Sequence, residues 1–172
     1  MPESGFVLAA NHVSNFDPWP LGLPLFPERY LRFMAKSELF WWPLGLLLKS
    51  LGAFKVHRGQ SDADAMETAM QLARAGEVVV MFPQGTRQKK GMRKKFEARP
   101  HTGAARIALG AGVPLVPAAI KGMDTLARVE QLRVVYGQPI DVSDLGELDP
   151  RDAAQTATDR LMAEIRRLYE TL

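Results

Sequence analysis

Residues 11 to 18 read Asn-His-Val-Ser-Asn-Phe-Asp-Pro and follow directly on the apolar run Phe6 to Ala10. A turn needs one or two polar residues. This one also holds a histidine and an aspartate, His12 and Asp17, at a fixed spacing. A carboxylate beside an imidazole fixes the ring's tautomer and stabilises the imidazolium that forms when the ring takes a proton. Just past a strand end, the two side chains can meet across one turn. The spacing alone fits two readings equally: such a pair, or a helix cap beside an ordinary loop histidine. Ser14, in the same stretch, lacks the Gly-x-Ser-x-Gly elbow that exposes a hydrolase nucleophile.

Two further stretches carry groups suited to an anion. Residues 82 to 87 read Phe-Pro-Gln-Gly-Thr-Arg. Gly85 lets the backbone approach a ligand closely, Thr86 offers a hydroxyl, and Arg87 offers a forked cation that matches phosphate. Residues 52 to 58 read Gly-Ala-Phe-Lys-Val-His-Arg, and Arg58 beside Arg87 would make a phosphate clamp. Taken singly, each arginine is more simply a solvated residue at a strand end. His57 alternates to the other face from Val56 and Arg58 and is not assigned a role.

These residues need elements to hold them. Phe6–Ala10 is apolar on both faces, as a buried strand is. Asp17-Pro18 makes a good helix start, with Asp as cap and Pro at the first helical position, and the helix runs towards Leu25. Strands are expected at 31–35, 53–58 and 77–82, and in the stretches Pro-Leu-Val-Pro-Ala-Ala-Ile and Leu-Arg-Val-Val-Tyr-Gly further on. Helices are expected over 38–51, from Ser61 to Gly76, from Thr102 through a small-residue run, and from Asp149-Pro150 with Ala154, Ala157, Leu161, Ile165 and Leu168 at steps of three and four. Strands and helices alternate throughout. The expected fold class is therefore α/β: a single domain over 1–172, with a mostly parallel sheet and helices on both faces. Ligands of such sheets bind at the carboxyl ends of the strands. The three polar stretches each follow a strand, so all three could line one crevice.

Composition bounds the function. The chain has 172 residues, 47% of them hydrophobic, 24% charged, with a net charge of +3 and no cysteine. Disulfides, thiolate metal sites and a cysteine nucleophile are excluded. Residues 1 to 4 lead straight into the first strand without the pattern of a signal peptide. The longest apolar stretch, 39–48, is interrupted by Pro43 and is shorter than the ~20 residues that span a bilayer. A membrane, if met, is met at its surface.

Together the three stretches resemble the motifs of the glycerolipid acyltransferases, the 1-acylglycerol-3-phosphate O-acyltransferases and their relatives. Asn11, His12 and Asp17 match the first motif, with Pro18 after it. Gly52, Phe54 and Arg58 match the second, and Phe82, Pro83, Gly85, Thr86 and Arg87 match the third. Val113 to Pro117 match an apolar proline strand. The resemblance covers about residues 5 to 140 in order and spacing. Position 84 is Gln where the family usually has Glu. Many relatives also carry an upstream helical or membrane-anchoring segment, whereas this chain opens almost at the first motif.

The resemblance implies a glycerol-3-phosphate acyltransferase-like fold and an O-acyltransferase of phospholipid biosynthesis. His12 would be the general base towards the free hydroxyl of a lysophospholipid, with Asp17 holding its ring. General-base help of this kind contributes roughly 100- to 10,000-fold. Arg58, Gln84, Gly85, Thr86 and Arg87 would bind the acceptor. The donor would be acyl-CoA or acyl carrier protein, used as substrate, with no metal and no bound cofactor. Other lysolipids, glycerol 3-phosphate, or a catalytically silent lipid- or CoA-binding module are the alternatives.

Two surfaces bear on partners. Residues 87 to 95 hold six cations and no acid. They suit anionic headgroups, the phosphates of CoA or acidic carrier protein. No aromatic platform supports a nucleic-acid partner. Residues 39 to 51, with Trp41, Trp42 and several leucines, fit a buried core helix as well as an interfacial segment or acyl-tunnel wall. The expected location is cytoplasmic, peripheral on the inner face of the cell membrane, with an anionic membrane surface as partner.

Overall fold

The computed structural model describes residues 1–14, 16–56, 62–85, 100–122 and 132–172. Six strands, β1 (Phe6–Ala10), β2 (Leu31–Lys36), β3 (Ala53–Val56), β4 (Val78–Met81), β5 (Leu115–Lys121) and β6 (Arg133–Tyr136), form one sheet in the order β3-β2-β4-β1-β5-β6. β1 to β5 run parallel and β6 antiparallel to β5. β1 is central, so its neighbours β4 and β5 end on either side of it at the same edge of the sheet. The expected α/β class with a mostly parallel sheet is what the chain adopts.

The helices are α1 (Pro18–Gly22), α2 (Leu44–Ser50), α3 (Asp62–Arg74), α4 (Gly103–Ala111) and α5 (Pro150–Glu170). The connections β1→β2 and β2→β3 both travel towards the β3 edge, and those through α3 and α4 travel back. Parallel crossovers are right-handed, so α1 and α2 cover one face and α3 and α4 the other. The core divides accordingly. Phe6, Leu8, Ala10, Val78, Val80, Val116 and Ala118 pack with Leu21 and Leu25 of the α1 segment. The alternate residues Val7, Ala9, Val79 and Leu115 pack with Ala69, Ala104, Ile107, Leu161 and Ile165 of α3, α4 and α5. The period of two along each strand thus fills both faces.

α5 starts as expected: Asp149 accepts from the Arg151 N–H at 2.9 Å, and Pro150 is the first helical residue. The helix expected over 38–51 is much shorter. Residues 37–39 form a 3₁₀ turn and α2 begins only after Pro43, whose ring cannot sit inside a helix without removing a hydrogen bond. Nor is this segment a core helix: Trp41, Trp42, Leu46 and Leu47 are exposed, and within α2 only Gly45 is buried.

Candidate active site

Asn11 and His12 leave β1 at its carboxyl end, between the ends of β4 and β5. Asn11 is buried and acts as a backbone surrogate. Its Nδ2 donates to the Ile120 carbonyl at 2.9 Å, and its Oδ1 accepts from the Ile120 N–H at 2.8 Å. Both ends of the amide are thereby committed to β5, which pins the chain one residue before the histidine.

From there the backbone folds back on Asp17. Asp17 Oδ2 lies 2.7 Å from His12 Nδ1 and accepts from the Val13 and Ser14 N–H groups at 2.6 and 2.9 Å. Asp17 stands at the start of α1 but its side chain does not cap that helix; it turns back along the chain towards the histidine. Its carboxylate is fully buried, while the His12 side chain keeps 17% of its surface exposed. A buried carboxylate requires donors; here the loop's own backbone and the ring supply them to Oδ2, while Oδ1 is buried with no hydrogen-bond partner among the described residues. With Nδ1 committed to Asp17, the lone pair that can take a proton sits on Nε2.

The third stretch meets the first from β4. The His12 ring stacks on Phe82 with centroids 4.2 Å apart and planes at 19°. The His12 N–H donates to Gln84 Oε1 at 3.0 Å. Gln84, expected as an acceptor-binding residue, grips the backbone of the histidine, and it is itself buried. Gly85 has φ +66, the left-handed region that glycine adopts without strain. The His101 ring occupies the space a side chain at Gly85 would need. The His101 N–H also donates to the Pro83 carbonyl at 2.8 Å. His101 was not a sequence candidate: it belongs to no motif, and only the fold brings it beside residue 85.

Thr86, Arg87 and Arg58 lie outside the described residues, as does the basic run 87–95. β3, which leads towards Arg58, is the edge strand, with β2 and β4 between it and β1. Among the described residues no group of three His, Asp or Glu side chains is placed to hold a metal ion.

What the arrangement offers is an imidazole held by a buried carboxylate at the carboxyl ends of parallel strands, beside a glycine turn. The Acyltransferase family profile matches residues 1–121. The 1-acyl-sn-glycerol-3-phosphate acyltransferase of Bacillus subtilis (strain 168) is 32% identical over 99% of this chain and 84% of its own length. The probable enzyme of that name from Mycoplasma pneumoniae is 26% identical over 98% of this chain and 68% of its own. The Haemophilus influenzae enzyme is 28% identical over 96% and 70%. A profile that spans most of the chain, and a relative at this identity aligned along nearly all of it, show that the chain belongs to the Acyltransferase family.

Proposed function

We propose that this acyltransferase moves an acyl group from a thioester, carried by CoA or acyl carrier protein, to the free hydroxyl of 1-acylglycerol 3-phosphate, giving phosphatidic acid. The observation that carries the reading is the 2.7 Å contact between His12 Nδ1 and the buried Asp17 carboxylate. His12 Nε2 takes the hydroxyl proton as that oxygen attacks the thioester carbonyl carbon. The carbon–sulfur bond breaks, and the departing sulfur takes the proton back from the imidazolium. The ring ends neutral, so neither a protein nucleophile nor a cofactor is needed. Asp17 holds the tautomer and offsets the charge on the ring. Gly85, Thr86, Arg87 and Arg58 hold the acceptor phosphate, contributing mainly by positioning. The acceptor is an amphiphile, so the reaction runs at the cytoplasmic surface of a membrane. Among the described residues no helix is long and apolar enough to cross one.

The test is release of free CoA from acyl-CoA in the presence of a lysolipid panel. His12→Ala should lower turnover by at least about 100-fold with an unchanged circular dichroism spectrum. Near-natural turnover by the folded variant would reject the mechanism, and preference for another acceptor would reject the substrate.

A further inference from the structure

All three tryptophans of the chain are exposed: Trp19 at 53%, Trp41 at 60% and Trp42 at 79%. Phe16, Leu23, Phe26, Leu39, Leu46 and Leu47 are exposed with them. Every one belongs to the connections that leave β1 and β2, and these cover a single face of the sheet. The stretches 18–27 and 39–48 contain no charged residue. The opposite face differs: the outward positions of α5 carry Arg151, Asp152, Asp159, Arg160, Arg166 and Arg167. Water-facing surfaces are normally charged, and a concentrated apolar face marks an interaction site.

The position of this face says what it meets. Phe16 and Trp19 flank Asp17 in sequence, and Leu39, Trp41 and Trp42 follow the carboxyl end of β2, which runs in the same direction as β1. Phe16, Trp19, Leu39, Trp41 and Trp42 therefore lie at the same end of the sheet as His12, while Leu23, Phe26, Leu46 and Leu47 extend the apolar surface along the return of each connection. Tryptophan with leucine and phenylalanine, free of charge, suits the boundary between headgroups and acyl chains. We infer that the face formed by residues 16–26 and 37–47 inserts into one leaflet of a lipid bilayer and sets the His12 site at headgroup depth, where a lysolipid enters it from the membrane. This rests on the acceptor reading above. It assigns the hold on the membrane to apolar insertion, not to the basic run 87–95.

The tryptophans are their own reporters. The natural protein should bind neutral phosphatidylcholine vesicles in high salt, and bromine-labelled phosphatidylcholine should quench its tryptophan fluorescence. Trp42→Glu with Leu46→Glu should weaken that binding by at least about 100-fold, because each residue forfeits a buried apolar side chain. The spectrum of the folded protein should be unchanged. Turnover of a short-chain lysolipid below its micelle concentration should be retained, while turnover of vesicle-borne acceptor falls. Absence of quenching, equal binding by the double variant, or binding that requires anionic lipid and vanishes with salt would overturn the inference. So would a dimer in sedimentation that the double variant dissociates while vesicles are ignored. A natural protein that inserts through this face yet acylates no lysolipid would uphold the docking and remove the acceptor reading instead.

Discussion

Three donors converge on one carboxylate oxygen of Asp17, and this sets what single substitutions do. In Asp17→Asn the side-chain oxygen can still accept from Val13 and Ser14, so the loop keeps its shape. The charge facing the ring is lost. A charge-assisted hydrogen bond contributes about 1.5–3 kcal/mol, so kcat should fall about 10- to 100-fold with KM little changed. A KM rise at constant kcat, in steady-state kinetics over acceptor concentration, would place Asp17 in binding instead. Gln84 follows the same logic. Gln and Glu both present an oxygen to the His12 N–H, so Gln84→Glu should change acceptor affinity by around tenfold or less. Gln84→Leu removes the acceptor atom and leaves a half-buried N–H, at about 1–3 kcal/mol. It should lower both kcat and the denaturation midpoint. If Gln84→Leu turned over normally, the grip on His12 would be irrelevant to the chemistry. The His12–Asp17 spacing was legible because the two are local. That the carboxylate turns back, and not forward as a cap, was not legible, since an Asp before a helical proline suits either use. The bond from Gln84 to His12 spans 72 residues and exists only through the pairing of β1 with β4.

At the scale of elements, α1 is only five residues long and has too few turns to be stable alone. It is held by what it packs against. Leu21 is fully buried, and its carbonyl accepts from the Tyr136 hydroxyl at 2.8 Å, so β6 reaches across to α1. Burial raises the Tyr136 pKa to about 12 from the ordinary 10.0. The folded state disfavours the phenolate, so this contribution is complete below pH 10. It is lost as pH rises through about 12. Denaturation midpoints followed through that window should fall less steeply in Tyr136→Phe than in the natural protein. In neutral solution the variant should be less stable by about 1 kcal/mol. One more phenolate developing near pH 10 in the folded natural protein than in Tyr136→Phe would contradict this. The elements with a clear period were legible in sequence, α5 above all. The segment 38–51 was not, because apolar composition does not distinguish a core helix from an exposed one, and Pro43 shortened it.

The whole molecule is asymmetric about its sheet. Among the described residues, one face carries the helices α3, α4 and α5 and the other carries α1, α2 and short 3₁₀ turns. The α/β class was readable from the alternation of elements, but the strand order was not: β4 lies between β1 and β2, a choice made by tertiary packing alone. Putting β4 there brings Phe82 and Gln84 beside His12, so the order of the strands assembles the site. α5 supports this arrangement from behind without entering it. Ile165 is fully buried among Val7, Val79, Leu115 and Leu161, on the side of the sheet opposite α1. Ile165→Ala should therefore cost about 2–5 kcal/mol of stability, read as a lower denaturation midpoint at unchanged slope. Turnover per folded molecule, measured well below the melting transition, should stay within about twofold, because the His12–Asp17 turn and the Gln84 bond draw on residues of the strand ends and not on α5. A fall in kcat as large as that of Asp17→Asn, in a sample shown to be fully folded, would mean that the two faces are coupled through the sheet and that the helical layer tunes the site directly.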